Sequence, residues 1–298
     1  MNHVATLHEM AFLDNTINID MIKKYATLYA RYKGQAPNEI FSHFFWNNQK
    51  GETWETPFER IASLAKPEDW NFHRDQFKKP SKYPILTDYL NYTFLRLQEQ
   101  DKIAYSDDGT KACFNTGLQT KDEKDIFISF VRNKQVENKN YPDWVFHSVA
   151  DSYSNILSPF GLVPEVATYI EDASDLVFDL TYDIEVNTAH IVDENLDRLP
   201  ESLRENRRIA MTSIEGATNF LKQKILRNYK VAIPHWYDHK IQLLLPLNLT
   251  SETEADLALV ADKDSGRKIY RIRTALPMDM AYTDARLICR PDREWLNP

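Results

Sequence analysis

A chain of 298 residues with 43% apolar side chains is long enough for one large domain or two of ordinary size, and apolar enough for a substantial core. Its 36 basic and 44 acidic side chains give a formal charge of -8, which excludes a wholly basic nucleic-acid surface and requires any polyanion partner to meet a local basic patch. Two cysteines, Cys113 and Cys289, are too few for a disulfide framework or a cysteine zinc site, and seven scattered glycines exclude the Gly-rich loops with which Walker-type and Rossmann-type sites cradle phosphate.

The first residues lack a basic stretch followed by an apolar one, and no run approaches the roughly 20 apolar residues needed to span a bilayer. An unexported, cytoplasmic chain with no membrane partner is expected. In the first third, Asp20 to Tyr32 and Pro57 to Leu64 read as short helices separated by Gly34-Gln35-Ala36-Pro37. A clearer helix spans Ile85 to Gln100, where Leu86, Leu90, Phe94 and Leu97 recur at helical spacing behind Tyr83-Pro84.

Lys102 to Tyr105, the turn Ser106-Asp107-Asp108-Gly109 and Lys111 to Phe114 then read as a hairpin. Helix followed by hairpin is winged-helix-like, but no second recognition helix precedes it, so a helix packed on an ordinary sheet is the preferred reading. The Asn- and Lys-rich stretch from Asn133 to Asn140 is a weak internal boundary. Leu176 to Val186 alternates as a strand, and Glu201 to Asn228 reads as the longest helix, with Ala210, Ile214, Ala217, Leu221 and Ile225 as its core stripe. Ile241 to Leu247 and Asp256 to Val260 have buried-strand character, and Asp264-Ser265-Gly266 turns into a strand in which Tyr270 and Ile272 alternate with Arg271 and Arg273. The fold class is α+β: a helical N-terminal cap over residues 1–69, then a core domain over 70–298 built on a mixed, largely antiparallel sheet with a long packing helix.

Histidines and cations carry the candidate chemistry. His190 ends the strand-like run and precedes a polar loop containing Arg198; as general base beside a guanidinium it would suit a phosphate-centred reaction, while a loop histidine that hydrogen-bonds the chain is the plainer alternative. His235-x-x-Asp238-His239 has zinc-like composition, but a spacing of four needs a helix to aim both imidazoles at one metal, and Pro234 with a following strand argues for an exposed turn. Zinc is therefore disfavoured and no cofactor is predicted, although carboxylates such as Asp179, Asp183, Asp193, Asp279 and Asp284 would admit magnesium if the fold brought two together. Arg204, Arg207, Arg208, Lys222, Lys224, Arg227 and Lys230, near Tyr229 and Trp236, have the composition of a phosphate-binding face, diluted by Glu201, Glu205 and Glu215.

Collinear blocks from about Trp70 to Leu296 carry a resemblance: Tyr83-Pro84-Ile85-Leu86, Tyr92 to Leu97, Ala112 to Leu118, His190-Ile191, Arg227-Asn228-Tyr229-Lys230, Ile241 to Leu247, Asp256 to Val260 and Asp279-Met280-Ala281-Tyr282. They are similar to a bacterial family catalogued as a domain of unknown function, number 3825. Its members are sometimes joined to cold-shock-type nucleic-acid-binding domains, which implies an RNA context; no such domain is recognised in this sequence. His235 stands where the resemblance implies Gln, and Thr283-Asp284 where it implies paired Asn, so no family role is carried onto those positions.

Within the resembling blocks, Asn115, Gln242, Asp279, Tyr282 and Arg286 are polar where packing would not call for them, and they read equally as the lining of one shared pocket or as a structural network fixing turns between strands. The resulting expectation is an RNA- or nucleotide-binding protein, extended to an RNA-processing hydrolase or nuclease acting without zinc. His190 would be its acid or base, Arg198 and Arg286 its phosphate contacts, Asn115 and Gln242 its polar readers, and Arg227 and Lys230 its entry contacts. The rival is a non-catalytic interaction or structural module. Oligomeric state is not legible.

Overall fold

In the computed structural model, which describes residues 24–44, 53–72, 81–134, 140–291 and 295–296, alternate side chains of one strand feed two different cores. Along Lys240–Leu247, Leu244 packs into a core shared with the N-terminal half, while Leu243, Leu245 and Leu247 pack into a second core with the helices on the other side. Successive side chains of a strand point to opposite faces, so an uninterrupted apolar run means a sheet covered on both.

Two five-stranded sheets result. The first has the order β1-β5-β4-β3-β2, from Ser42–His43 (β1), Ala104–Tyr105 (β2), Lys111–Gln119 (β3), Asp125–Arg132 (β4) and Trp144–Asp151 (β5). The second has the order β6-β10-β9-β8-β7, from Asp183–Glu185 (β6), Ile233–Tyr237 (β7), Lys240–Leu247 (β8), Leu257–Asp264 (β9) and Ile269–Leu276 (β10). Among the described residues the edge pairs β1 with β5 and β6 with β10 are parallel and the other strand pairs antiparallel. The fold is α+β.

Between the sheets lies a helical layer. Thr56–Leu64 (α1) and Pro84–Glu99 (α2) bury Phe58, Ile61, Leu86, Leu90, Phe94 and Leu97 completely, and Pro84 opens α2 at a position where its missing N–H costs nothing. Met278–Arg286 (α7), the last helix in the chain order among the described residues, joins the same core through Ala281, Tyr282 and Ala285. The far face of the second sheet is covered by Thr188–Glu194 (α3), Glu201–Arg204 (α4), Arg207–Asn219 (α5) and Leu221–Arg227 (α6), followed in the chain by α7. Among the described residues no helix is long and apolar enough to cross a membrane.

Several sequence expectations hold, including the helices at 57–64 and 85–100, the hairpin of β2 and β3 on an ordinary sheet, and the strands β8, β9 and β10. Others are corrected. The expected helix from Asp20 to Tyr32 is absent over its described residues, where Thr27 instead forms a parallel bridge with Ile40; residues 20–23 lie outside the description. Leu176 to Val186 is strand only at 183–185: Asp179 accepts from the Thr181 N–H at 2.9 Å, an Asx turn that draws the chain out of the extended state, and leaves Leu180 exposed.

The expected long helix from Glu201 to Asn228 is three helices. The Asn206 side chain accepts from the Ile209 N–H at 3.2 Å and starts α5 afresh, and the chain breaks again at Phe220, although Ala210, Ile214, Leu221 and Ile225 still share the core. α2 is accordingly the longest described helix. Of the stretch 133–140 expected as a weak boundary, residues 135–139 lie outside the described residues; β4 and β5 on either side of it pair directly with each other, and β1 joins the first sheet beside β5.

Candidate ligand-binding cleft

The β7 and β8 strands are joined by Asp238 and His239 alone, both with positive φ, 49° and 62°. A two-residue turn with both central residues left-handed matches the twist of a hairpin, and it fixes the register in which His235 lies directly opposite Gln242. Both side chains share the face of Ile233 and Leu244, which looks toward α7. On β9, Asp262 shares the phase of Val260, and a bulge between Ile272 and Thr274 re-aims β10 at Arg273. From α7, Met280 and Asp284 project on one helical face.

These residues line a cleft of about 490 Å³, together with Arg198, Tyr237 and Lys240. Its floor is chemically unspent. His235 is 1% exposed, yet neither Nδ1 nor Nε2 has a hydrogen-bond partner, and Gln242 Oε1 has none either. His235 Nδ1 lies 3.9 Å from Asp284 Oδ2. Burial lowers the imidazole to a pKa of about 4, so it is neutral at physiological pH. Burial raises the Asp284 carboxyl to about 7, assisted by the nearby charge of Asp88, which itself pairs with Arg31.

Cations form the rim. Lys240 Nζ reaches Asp262 Oδ1 at 2.7 Å, while Arg273 Nε and Nη2 each reach Oδ2 at 3.1 Å. Burial alone would raise Asp262, but the bonds from Lys240 and Arg273 outweigh it and hold the carboxyl below its usual range. Arg198 Nη1 donates to Asn195 Oδ1 at 3.0 Å and to the Ala275 carbonyl at 2.8 Å, which plants its guanidinium at the mouth.

Of the residues singled out in the sequence as site residues, this cleft collects Arg198 and Gln242, and the others lie outside its lining. His190 sits in α3 rather than at a strand end, half-exposed, with Nε2 3.2 Å from Glu194 Oε2 one helical turn on. It lines a separate depression with Met211, Arg271 and Arg273, so His190 and Arg198 do not face a common substrate position. Asn115 is a structural residue of β3: its Nδ2 donates to Asp125 Oδ2 at 3.1 Å and its Oδ1 accepts from the Gly117 N–H at 3.0 Å, supporting that glycine at φ 72°. Arg286 forms a two-bond ion pair with Glu68 at 2.6 and 2.8 Å, its guanidinium over the Trp70 and Tyr89 rings.

Tyr282 is buried edge-on to Phe72, and Asp279 lies in the first turn of α7, where its carbonyl accepts from Thr283 Oγ1 at 2.9 Å. Arg227, bonded to Gln223, and Lys230, just beyond α6, lie on the other side of the second sheet. Of the carboxylates considered for magnesium, Asp179 serves its Asx turn, Asp183 pairs with Lys222, and Asp193 pairs with Arg207. Among the described residues no group of three or more His, Cys, Asp or Glu side chains is placed to hold a metal ion.

His235 and Asp284, at the heart of the cleft, enter the sequence reading only as part of a disfavoured zinc pair in an exposed turn and as one of several carboxylates; His235 is instead a buried strand residue. A signal existed: Gln242 and Asp262 are polar positions in phase with the apolar set Leu244, Val260 and Ala258. Without Gly or Asn at 238 and 239 the hairpin that places His235 beside Gln242 is not announced.

A family model described as Domain of unknown function (DUF3825) matches residues 61–295. No curated protein and no solved structure matches the chain.

Proposed function

The chain belongs to the DUF3825 family, and from the geometry of the cleft we propose that it binds a nucleotide, free or as one unit of a single-stranded RNA. The observation that carries this reading is the floor, where three buried polar atoms, His235 Nδ1 and Nε2 and Gln242 Oε1, lack partners beneath a rim of cations. Leaving a buried donor or acceptor unsatisfied costs about 1–3 kcal/mol, so such a cluster favours a polar ligand that completes it. A volume of about 490 Å³ suits one nucleotide unit. The phosphate would lie toward Lys240, Arg273 and Arg198, and the exposed ring of Tyr237 offers a stacking surface at the edge.

The cleft is better suited to binding than to in-line phosphoryl transfer. An acid and a base in such a transfer stand on opposite sides of the phosphorus, whereas the His235 and Asp284 atoms are only 3.9 Å apart.

Fluorescence anisotropy with a labelled oligoribonucleotide, and competition by an unlabelled 5′-mononucleotide, test the reading. Saturable binding at low salt, weakened about tenfold by Lys240→Ala or Arg273→Ala and falling with rising salt, is expected. Full competition by the mononucleotide identifies a free-nucleotide site, whereas binding only of the oligomer identifies a strand site. Absence of binding by both, or binding indifferent to both rim variants, contradicts the proposal.

A further inference from the structure

The unspent hydrogen-bonding capacity of the floor is unequal in kind. Gln242 Oε1 is an acceptor without a donor, while the Gln242 amide nitrogen is directed to Asp262. His235, neutral and without partners at either nitrogen, adds one N–H donor and one nitrogen acceptor. Asp284 adds a carbonyl oxygen, and as an acid one O–H donor. Acceptors therefore outnumber donors, and ionisation of Asp284 would widen the excess.

Resting on the nucleotide-binding reading, we infer that the floor selects a nucleobase edge in which an exocyclic amine lies beside a ring nitrogen acceptor, the edge of adenine and cytosine, over the edge in which a carbonyl lies beside a ring N–H. The amine's two hydrogens can meet Gln242 Oε1 and a second acceptor, and the ring nitrogen receives the imidazole or carboxyl proton. A carbonyl-bearing edge offers one donor and sets its oxygen against Gln242 Oε1. A site whose buried polar groups are left unpaired by the wrong ligand discriminates more strongly than one that reads apolar shape.

The pairs AMP with IMP and CMP with UMP change amine for carbonyl at nearly constant size, so their dissociation constants isolate the edge. Calorimetric titration at fixed salt and pH 6 should give AMP and CMP at least about tenfold tighter than IMP and UMP. Gln242→Leu should level the preference, with a melting curve showing the variant folded. Equal affinities within each pair overturn the selectivity and leave nucleotide binding intact, whereas failure to bind of all four mononucleotides and of the matching homo-oligoribonucleotides overturns both. A preference unchanged in folded Gln242→Leu assigns discrimination elsewhere and likewise overturns the inference.

Discussion

His235 Nδ1 on β7 and Asp284 Oδ2 on α7 face each other at 3.9 Å, beyond hydrogen-bonding length, and burial drives both toward their neutral forms. In the folded chain at pH 5 the pair holds one proton, on the carboxyl. Unfolded, with ordinary values of 6.5 and 3.8, it also holds one, on the imidazole. Stability changes with pH only where folded and unfolded states bind different numbers of protons. The pair therefore hides two opposing slopes between about pH 4 and 6.5.

Single substitutions should expose them. In Asp284→Asn the imidazole remains with its pKa lowered in the folded state, so stability is complete above 6.5 and falls on acidification toward pH 4, by about 3 kcal/mol. In His235→Gln the carboxyl remains with its pKa raised, so stability is greatest below 3.8 and falls as pH rises toward 7, by about 4 kcal/mol. Asp88, which faces Asp284 and is paired with Arg31, is unchanged in both variants. Urea titrations of the three proteins at pH 4.5, 5.5 and 6.5 measure the slopes; parallel curves would show that burial does not tune this pair.

Asp262 neutralises the rim that a phosphate would otherwise occupy, since Lys240 and Arg273 both bond to it. Asp262→Asn should strengthen binding of a nucleotide or oligoribonucleotide and steepen its salt dependence by about one charge, while lowering thermal stability. Weaker binding in a folded variant would mean that Asp262 orients the cations instead of competing for them.

Arg286, expected in the sequence as a phosphate contact, is committed to Glu68 in a buried pair. Glu68→Ala should destabilise the protein by about 3–5 kcal/mol, because it leaves the guanidinium uncompensated between Trp70 and Tyr89. Replacing both with Leu should recover part of the loss. Ligand affinity measured below the lowered melting temperature should be unchanged.

Gly117 holds φ 72°, and a Cβ there would lie 2.8 Å from the Tyr89 hydroxyl that donates to the Thr116 carbonyl at 3.0 Å. Gly117→Ala should cost about 1–3 kcal/mol in a denaturant titration. Asn115→Ala, which removes the support of the Gly117 N–H, should lower stability in the same direction without altering nucleotide affinity. A loss of affinity at full stability would return Asn115 to the binding surface.

The sequence was most legible where one physical signal dominated. α2, with its Pro entry and stripe from Leu86 to Leu97, and the double-sided apolar run of β8 were readable because periodicity and burial agree there. The helical stretch after Glu201 was legible as a core stripe and not as a single helix, because Ala210, Ile214, Leu221 and Ile225 keep their phase across the break at Phe220. The cleft was less legible for a different reason. Its members come from β7, β8, β9, β10 and α7, and only the unannounced Asp238-His239 turn and the bulge at Arg273 bring them together. Polar residues such as Asn115 and Arg286 looked equally conspicuous, because in sequence a buried polar group satisfied by the protein cannot be told from one awaiting a ligand.

The most direct test follows the histidine side-chain nitrogens by ¹⁵N NMR while AMP is added to the full chain. Binding in the cleft predicts a saturable shift of His235 Nδ1 or Nε2, with His190 and His239, outside the cleft lining, staying in place. Saturable AMP binding that leaves His235 unmoved, or moves His190 instead, would contradict the assignment of this cleft as the ligand site.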